Sequence, residues 1–175
     1  LDLFFRYLGI ADGLEVKSYD PEGFDLFRDP KTGKDFAFPC GFERIRDHFG
    51  HYFPQEREAI GRYLDAIRAE CERLPYLNLD APFDPQQLMN GLQGPSVQQV
   101  LDSLTTDRKL KQLLSLHGLL YGVPAEEMPF MLHASVVAPY FTSTWGFSGG
   151  GKQLVAAYEK RLQELGVDIR TGCSA

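Results

Sequence analysis

Cysteine is scarce and poorly placed for cross-linking. The 175-residue chain has three, Cys40, Cys71 and Cys173, an odd number with no CxxC pair. A disulfide framework is therefore excluded as the organising principle, and a reducing compartment fits better. No apolar run approaches the roughly 20 residues that cross a bilayer. The nearest, Met128 to Phe141, is too short and carries His133; it reads as a buried helix, with a shallow dip into a membrane surface left open. There is no basic block, and the formal charge is −6. Nucleic acid is thus excluded as a partner, because binding it needs a basic surface to displace counterions. GxGxxG, the turn of dinucleotide-binding folds, is absent, as are GxSxG and any convincing Ser/His/Asp order. The start, Leu1 to Phe5, has no initiator Met, basic n-region or cleavage signal, so an internal segment of a longer polypeptide is expected.

What is present is ordinary globular material: 43% hydrophobic and 24% charged residues. The length suits one domain or one and a half, enough to bury on the order of 70% of the unfolded surface. Residues 1–10 form a short helix stopped by Gly9. Three strand-like runs follow at Leu14–Val16, Gly23–Phe27 and Asp35–Phe38, the last two separated by the polar turn Asp29–Lys34. They predict a small antiparallel meander.

From Phe42 the apolar period becomes helical, with Phe42, Ile45 and Phe49 on one face. Pro54 suits a first helical turn. Ile60, Tyr63, Leu64, Ile67, Cys71 and Leu74 then follow the 3.6 period closely, and Pro75 lies just past the end. Residues 75–95, rich in Pro, Gly and Asn, read as a loop. Ser96 caps a helix carrying Val97, Val100, Leu101 and Leu104. Thr105 or Thr106 caps the next, which runs from Leu110 to Tyr121, and Pro124 opens another with Glu126 and Glu127 in its first turn. Residues 142–150 are a Ser/Thr/Gly loop around Trp145. A last helix, about Gly151 to Leu165, turns Leu154, Val155, Tyr158, Leu162 and Leu165 inward. Gly166 stops it, and Val167–Arg170 reads as a strand.

The sharpest local signal is Gly146 to Gln153, which nearly matches the phosphate-binding GxxxxGK[ST]. Its last position must be Ser or Thr to hold Mg²⁺, and here it is Gln153. The simpler reading is a glycine turn into a helix N-terminus, open to another backbone or a ligand. His48 and His51 form an HxxH pair with only Cys40 near as a third ligand, so surface histidines are expected and no metal is assigned. His117, on an apolar face beside Tyr121, and His133 read as core histidines rather than catalytic bases.

Three stretches together resemble the phytoene desaturase, carotenoid isomerase and retinol saturase group of flavin oxidoreductases, within the amine oxidase superfamily. They are Phe4–Gly9 with Phe38–Glu43 and Phe53–Glu56; His117–Pro129; and Trp145–Gly151 running into Leu154–Val155 and Gly166–Arg170. The resemblance covers nearly the whole chain. It implies an α+β fold: a small antiparallel sheet with several packed helices, ending in a helix-strand unit that belongs to a flavin-binding α/β domain. Residues 1–140 would be most of the substrate-binding domain, and 141–175 the return to the FAD-binding domain.

The resemblance further implies FAD in the intact protein, held by sequence flanking this segment rather than by the segment alone. The activity would be desaturation, saturation or isomerisation of a lipophilic polyene or isoprenoid. The location would be cytoplasmic or peripheral to the cytoplasmic membrane face, and the remainder of the same polypeptide would be the partner. Trp145, Phe147, Gly149, Gly150 and Gln153 would lie near substrate or cofactor, and no catalytic base is assigned. Two alternatives stand beside this: a flavin amine oxidase segment, and a non-enzymatic module binding an apolar ligand or a protein.

Overall fold

A computed structural model describes residues 2–173, which divide into two compact units: 20–144, and 2–19 together with 145–173. The fold is α+β. Among the described residues there are eight α-helices and two small antiparallel sheets of two strands each. The sequence break near residue 140 lies close to the boundary at 144/145, but residues 2–19 side with the C-terminal segment rather than with the central body.

The second unit comprises α1 (Asp2–Leu8), β1 (Val16–Ser18), β4 (Trp145–Phe147) and α8 (Gly151–Glu164). Gly9, at φ 71°, closes α1 in a Schellman arrangement: its N–H donates to Arg6 and that of Ile10 to Phe5, both at 3.0 Å. β1 pairs antiparallel with β4, Val16 opposite Phe147 and Ser18 opposite Trp145. The predicted meander is therefore corrected. Its first strand leaves it to pair with a segment read as loop. Gly166 ends α8 by the same device, the Val167 N–H reaching Leu162 at 2.9 Å. The expected strand Val167–Arg170 does not form, since no described strand pairs with it. Of the five residues placed inward on α8, Val155 and Leu165 are exposed, while Leu154 and Tyr158 pack on the small core of Phe5, Ile10 and Ala157.

The central unit begins with the hairpin β2 (Asp25–Arg28) and β3 (Asp35–Phe38), Arg28 opposite Asp35. Asp29 organises its turn by accepting from the N–H groups of Lys31 (2.9 Å) and Thr32 (3.3 Å). Six helices follow: α2 (Phe42–Tyr52), α3 (Arg57–Arg73), α4 (Pro85–Leu92), α5 (Val97–Leu104), α6 (Arg108–Leu114) and α7 (Phe130–Thr142). The predicted stripe of α3 is buried as read, with Ile60, Tyr63, Leu64 and Ile67 wholly inaccessible. It packs on α7, whose Phe130, Ala134, Val137 and Phe141 complete the core. The apolar run of α7 is thus a buried helix, and no described helix is long and apolar enough to cross a membrane.

Several boundaries differ from expectation. The segment read as loop contains α4, because Asp84 caps it through the N–H groups of Gln86 and Gln87 and Pro85 takes the first position. Ser96 caps α5 in a full capping box with Gln99. Asp107, not a threonine, caps α6; the Thr105 hydroxyl instead accepts from the Asp107 N–H at 2.9 Å. The long helix expected to reach Tyr121 stops at Leu114 and continues as a 3₁₀ turn, Leu116–Leu120. Pro124 opens only a single turn, and α7 starts after Pro129.

Candidate functional site

The central unit carries a groove of about 1070 Å³ between the β2–β3 hairpin, α6 and the turn at 121–125. This is at the upper end of the range for small-molecule sites, which run to roughly 1,000 Å³. Phe27, Phe36, Leu113, Leu116 and Val123 give it an apolar lining. Its polar edge is formed where the hairpin turn meets α6. There Asp29 binds the Lys109 ammonium at 3.2 Å, and that ammonium also lies 4.8 Å from the Phe36 ring centre. Backbone donors from the turn, then Thr32 and Lys109, hold the Asp29 carboxyl down at about 2. Arg28, also on this edge, is occupied by both oxygens of Asp35, at 2.7 and 2.8 Å.

Behind the groove lies a chain of buried polar groups. Tyr121 borders the groove, and its hydroxyl meets Nδ1 of His133 at 2.8 Å; Nε2 of His133 meets the Tyr63 hydroxyl at 2.7 Å; and Tyr63 reaches the Leu114 carbonyl at 3.0 Å. Donor counting fixes the order that satisfies every member. Tyr63 has one proton, and the Leu114 carbonyl can only accept, so Tyr63 donates there and accepts from Nε2–H. Nδ1 is then bare and accepts from Tyr121. The imidazole is neutral in this arrangement, and burial, assisted by His117, brings it down to about 4. Burial likewise pushes Tyr121 up to about 12 and Tyr63 well above the usual phenol value. All three groups are therefore uncharged near neutral pH, as a satisfied buried network requires.

His117 is also buried. Its Nε2 lies 3.3 Å from Asp25, Nδ1 has no partner, and the ring packs edge-on against Phe38 at 4.5 Å. Desolvation lowers its pKa against the opposing pull of Asp25. It does not border the groove. His48 and His51 lie at the end of α2 against the Tyr52 ring, at 5.1 and 5.8 Å. Among the described residues no three His, Cys, Asp or Glu side chains gather as a metal site.

The residues singled out from the sequence fall together, in the second unit. Trp145 and Phe147 lie on β4 with ring centres 5.5 Å apart and an edge-to-face angle of 75°, and Phe147 also packs on Phe5. Gly149 and Gly150 make the turn into α8. Gly150 has φ 63° and ψ −160°, a conformation that only glycine adopts readily. Gln153, with its amide turned to satisfy both partners, donates to the Glu15 carbonyl at 2.9 Å and accepts from the Glu15 N–H at 2.7 Å. It clamps the segment before β1 onto α8, so its side chain is spent on the fold.

The same turn bears on whether these residues could hold FAD. A pyrophosphate needs free N–H groups. Those of Ser148 and Gly150 already donate to Glu15 and Phe147, both at 2.9 Å. No residue of the turn borders the groove described above. Two of the turn's N–H groups are thus spent on the fold, while those of Gly149, Gly151 and Lys152 have no backbone acceptor among the described residues. Comparison with protein-family models and with curated proteins finds no match for this chain.

The groove itself escaped the sequence reading, because its walls come from positions scattered between Phe27 and Ala125. One local signal was available. Asp29 and Lys109 are opposite charges beside apolar positions, but nothing in their spacing says that they meet.

Proposed function

We propose that this chain is the substrate-binding part of an FAD-dependent oxidoreductase acting on a lipophilic polyene or isoprenoid, with the flavin held by further polypeptide. The observation that carries this reading is the unequal burial of the two units. The central unit buries a large continuous core. Among its described residues the other buries only Phe5, Ile10 and Ala157, while Tyr7 is 86% and Leu3 71% exposed and Val155, Leu165 and Ile169 also face solvent. So small a core supplies little stability on its own. A segment that completes a flavin-binding domain would leave such a surface to be covered.

The groove supports the lipophilic substrate. An unsaturated hydrocarbon chain gains about 25 cal/mol for each Å² of apolar surface it hides there. The flavin supplies the redox chemistry when bound. The residues of this chain contribute an apolar lining that excludes water, and a phenol, Tyr121, whose hydroxyl is turned away to His133. Nothing on the groove is assigned as a base. A location at the cytoplasmic membrane face would suit substrates drawn from lipid.

Incubation of the full-length protein with FAD and a C20–C40 polyene tests the reading. A shift in the polyene absorption that reports gain or loss of conjugated double bonds supports it. Turnover of primary amines with no change in any polyene would replace it with the amine oxidase alternative.

A further inference from the structure

We infer that the groove of the central unit receives an amphipathic anion, a single long apolar chain ending in a carboxylate or phosphate, whose head is held by Lys31 and Arg108. This deepens the reading of the groove as a substrate site and rests on it for biological role, though not for binding.

The edge of the groove carries positive charge that no neighbouring carboxylate neutralises. The chain as a whole is acidic, at −6. Yet the groove is bordered by four cations, Arg28, Lys31, Arg108 and Lys109, and by one carboxylate, Asp29. Two of the cations are neutralised. Arg28 holds Asp35 with two hydrogen bonds, and Lys109 holds Asp29 at 3.2 Å. Lys31 and Arg108 have no such partner among the described residues, and both are exposed. The Asp29–Lys109 bridge ties the hairpin turn to the start of α6, so it brings Lys31 and Arg108, each close in sequence to one end of it, to the same edge.

A neutral hydrocarbon gains from the apolar lining alone and leaves those two charges to solvent. A cationic amphipath would be repelled by them. An anionic head with an apolar tail satisfies both the edge and the floor, and a surplus of one sign beside a cleft raises the local concentration of the opposite one. Arginine in particular suits a planar or tetrahedral oxyanion.

Titration calorimetry of the chain decides it, using dodecanoate, dodecyl phosphate, dodecanol and dodecyltrimethylammonium below their micellar concentrations. One anion per chain should bind, tighter than dodecanol by roughly twofold to thirtyfold, the range expected for two exposed ion pairs. The double variant Lys31→Gln/Arg108→Gln should bring the anion to the level of dodecanol and leave dodecanol unchanged. These side chains lie on the surface, so the variant should fold. Whichever anion binds tighter names the head group. Equal binding of anion, alcohol and cation would overturn the inference, as would no saturable binding, or an anion preference that survives in the variant. A full-length protein without flavin would undo the redox reading and leave this result standing.

Discussion

Replacing Tyr63 with Phe removes one oxygen atom from the middle of the central unit and changes little else. The side chain is wholly inaccessible, between α3 and α7, and the aromatic ring stays to fill its space. Two partners lose their hydrogen bonds: the Leu114 carbonyl, 3.0 Å away, and Nε2 of His133, 2.7 Å away. Neither can turn to water, since His133 is inaccessible and Leu114 is 1% exposed. Each stranded buried group costs about 1–3 kcal/mol, so Tyr63→Phe should destabilise the protein by about 2–6 kcal/mol. His133 can recover part of this by moving its proton to Nδ1 and donating to Tyr121, which sets the lower end. Urea unfolding followed by far-UV circular dichroism measures the loss as a lower midpoint at unchanged slope. Tyr121→Phe is the control. It strands one group rather than two, Nδ1 of the same inaccessible His133, so a smaller loss of about 1–3 kcal/mol is expected. A loss below about 0.5 kcal/mol for Tyr63→Phe, the size of an ordinary surface change, would refute the hydrogen-bond order given above.

Acid should weaken the same region. The folded value of His133 is depressed from 6.5 to about 4, so the unfolded chain takes up the proton first. Its stabilising contribution is full above pH 6.5 and is lost as pH falls to about 4, a total of about 3 kcal/mol, readable as the unfolding free energy across that window. A flat profile from pH 7 to 4.5 would contradict this. Gly150→Ala should cost about 1–3 kcal/mol although nothing lies within 4 Å of an added Cβ, because φ 63° with ψ −160° strains any L residue; the midpoint of thermal unfolding checks it. Gln153→Ala should cost about 1–2 kcal/mol by freeing the Glu15 backbone, and Trp145 emission, which comes from the same unit, should report the loosening. Ser96→Ala should cost about 1 kcal/mol through loss of the capping box, measured by urea unfolding.

What could be read in advance was whatever is encoded locally. The stripe of α3, the Ser96 cap and the glycine stops at Gly9 and Gly166 depend on residues within a turn or two of one another, and each is found where the pattern put it. The failures are non-local or competitive. No local pattern announces that Val16 pairs with Phe147, so a meander was expected where a long-range strand pair forms. Val167–Arg170 has the composition of a strand, but a strand exists only against a partner. At α6 two hydroxyls competed with a carboxylate for the cap. Asp107 won, while Thr105 turned its oxygen to the N–H of Asp107. The Pro and Gly content of 75–95 hid α4, although Asp84–Pro85 carries a cap followed by a first-position proline.

The site was less legible than the fold. The residues chosen around Trp145 do cluster, but Gln153 serves the backbone of Glu15. The groove and the Tyr121–His133–Tyr63 chain depend on residues from the hairpin, α3, α6 and α7 meeting in space. Tyr63, Tyr121 and His133 were each visible beforehand on apolar faces, but neither tyrosine is at helical spacing from the histidine, so nothing local says that they meet.

The visible absorption spectrum of the full-length gene product, purified without added cofactor and set beside the 175-residue chain, tests the central proposal most directly. A flavin spectrum in the full protein and none in the shorter chain is the predicted result. No flavin in either, even after FAD is added, would contradict the proposal and leave the groove as the binding site of a non-enzymatic module.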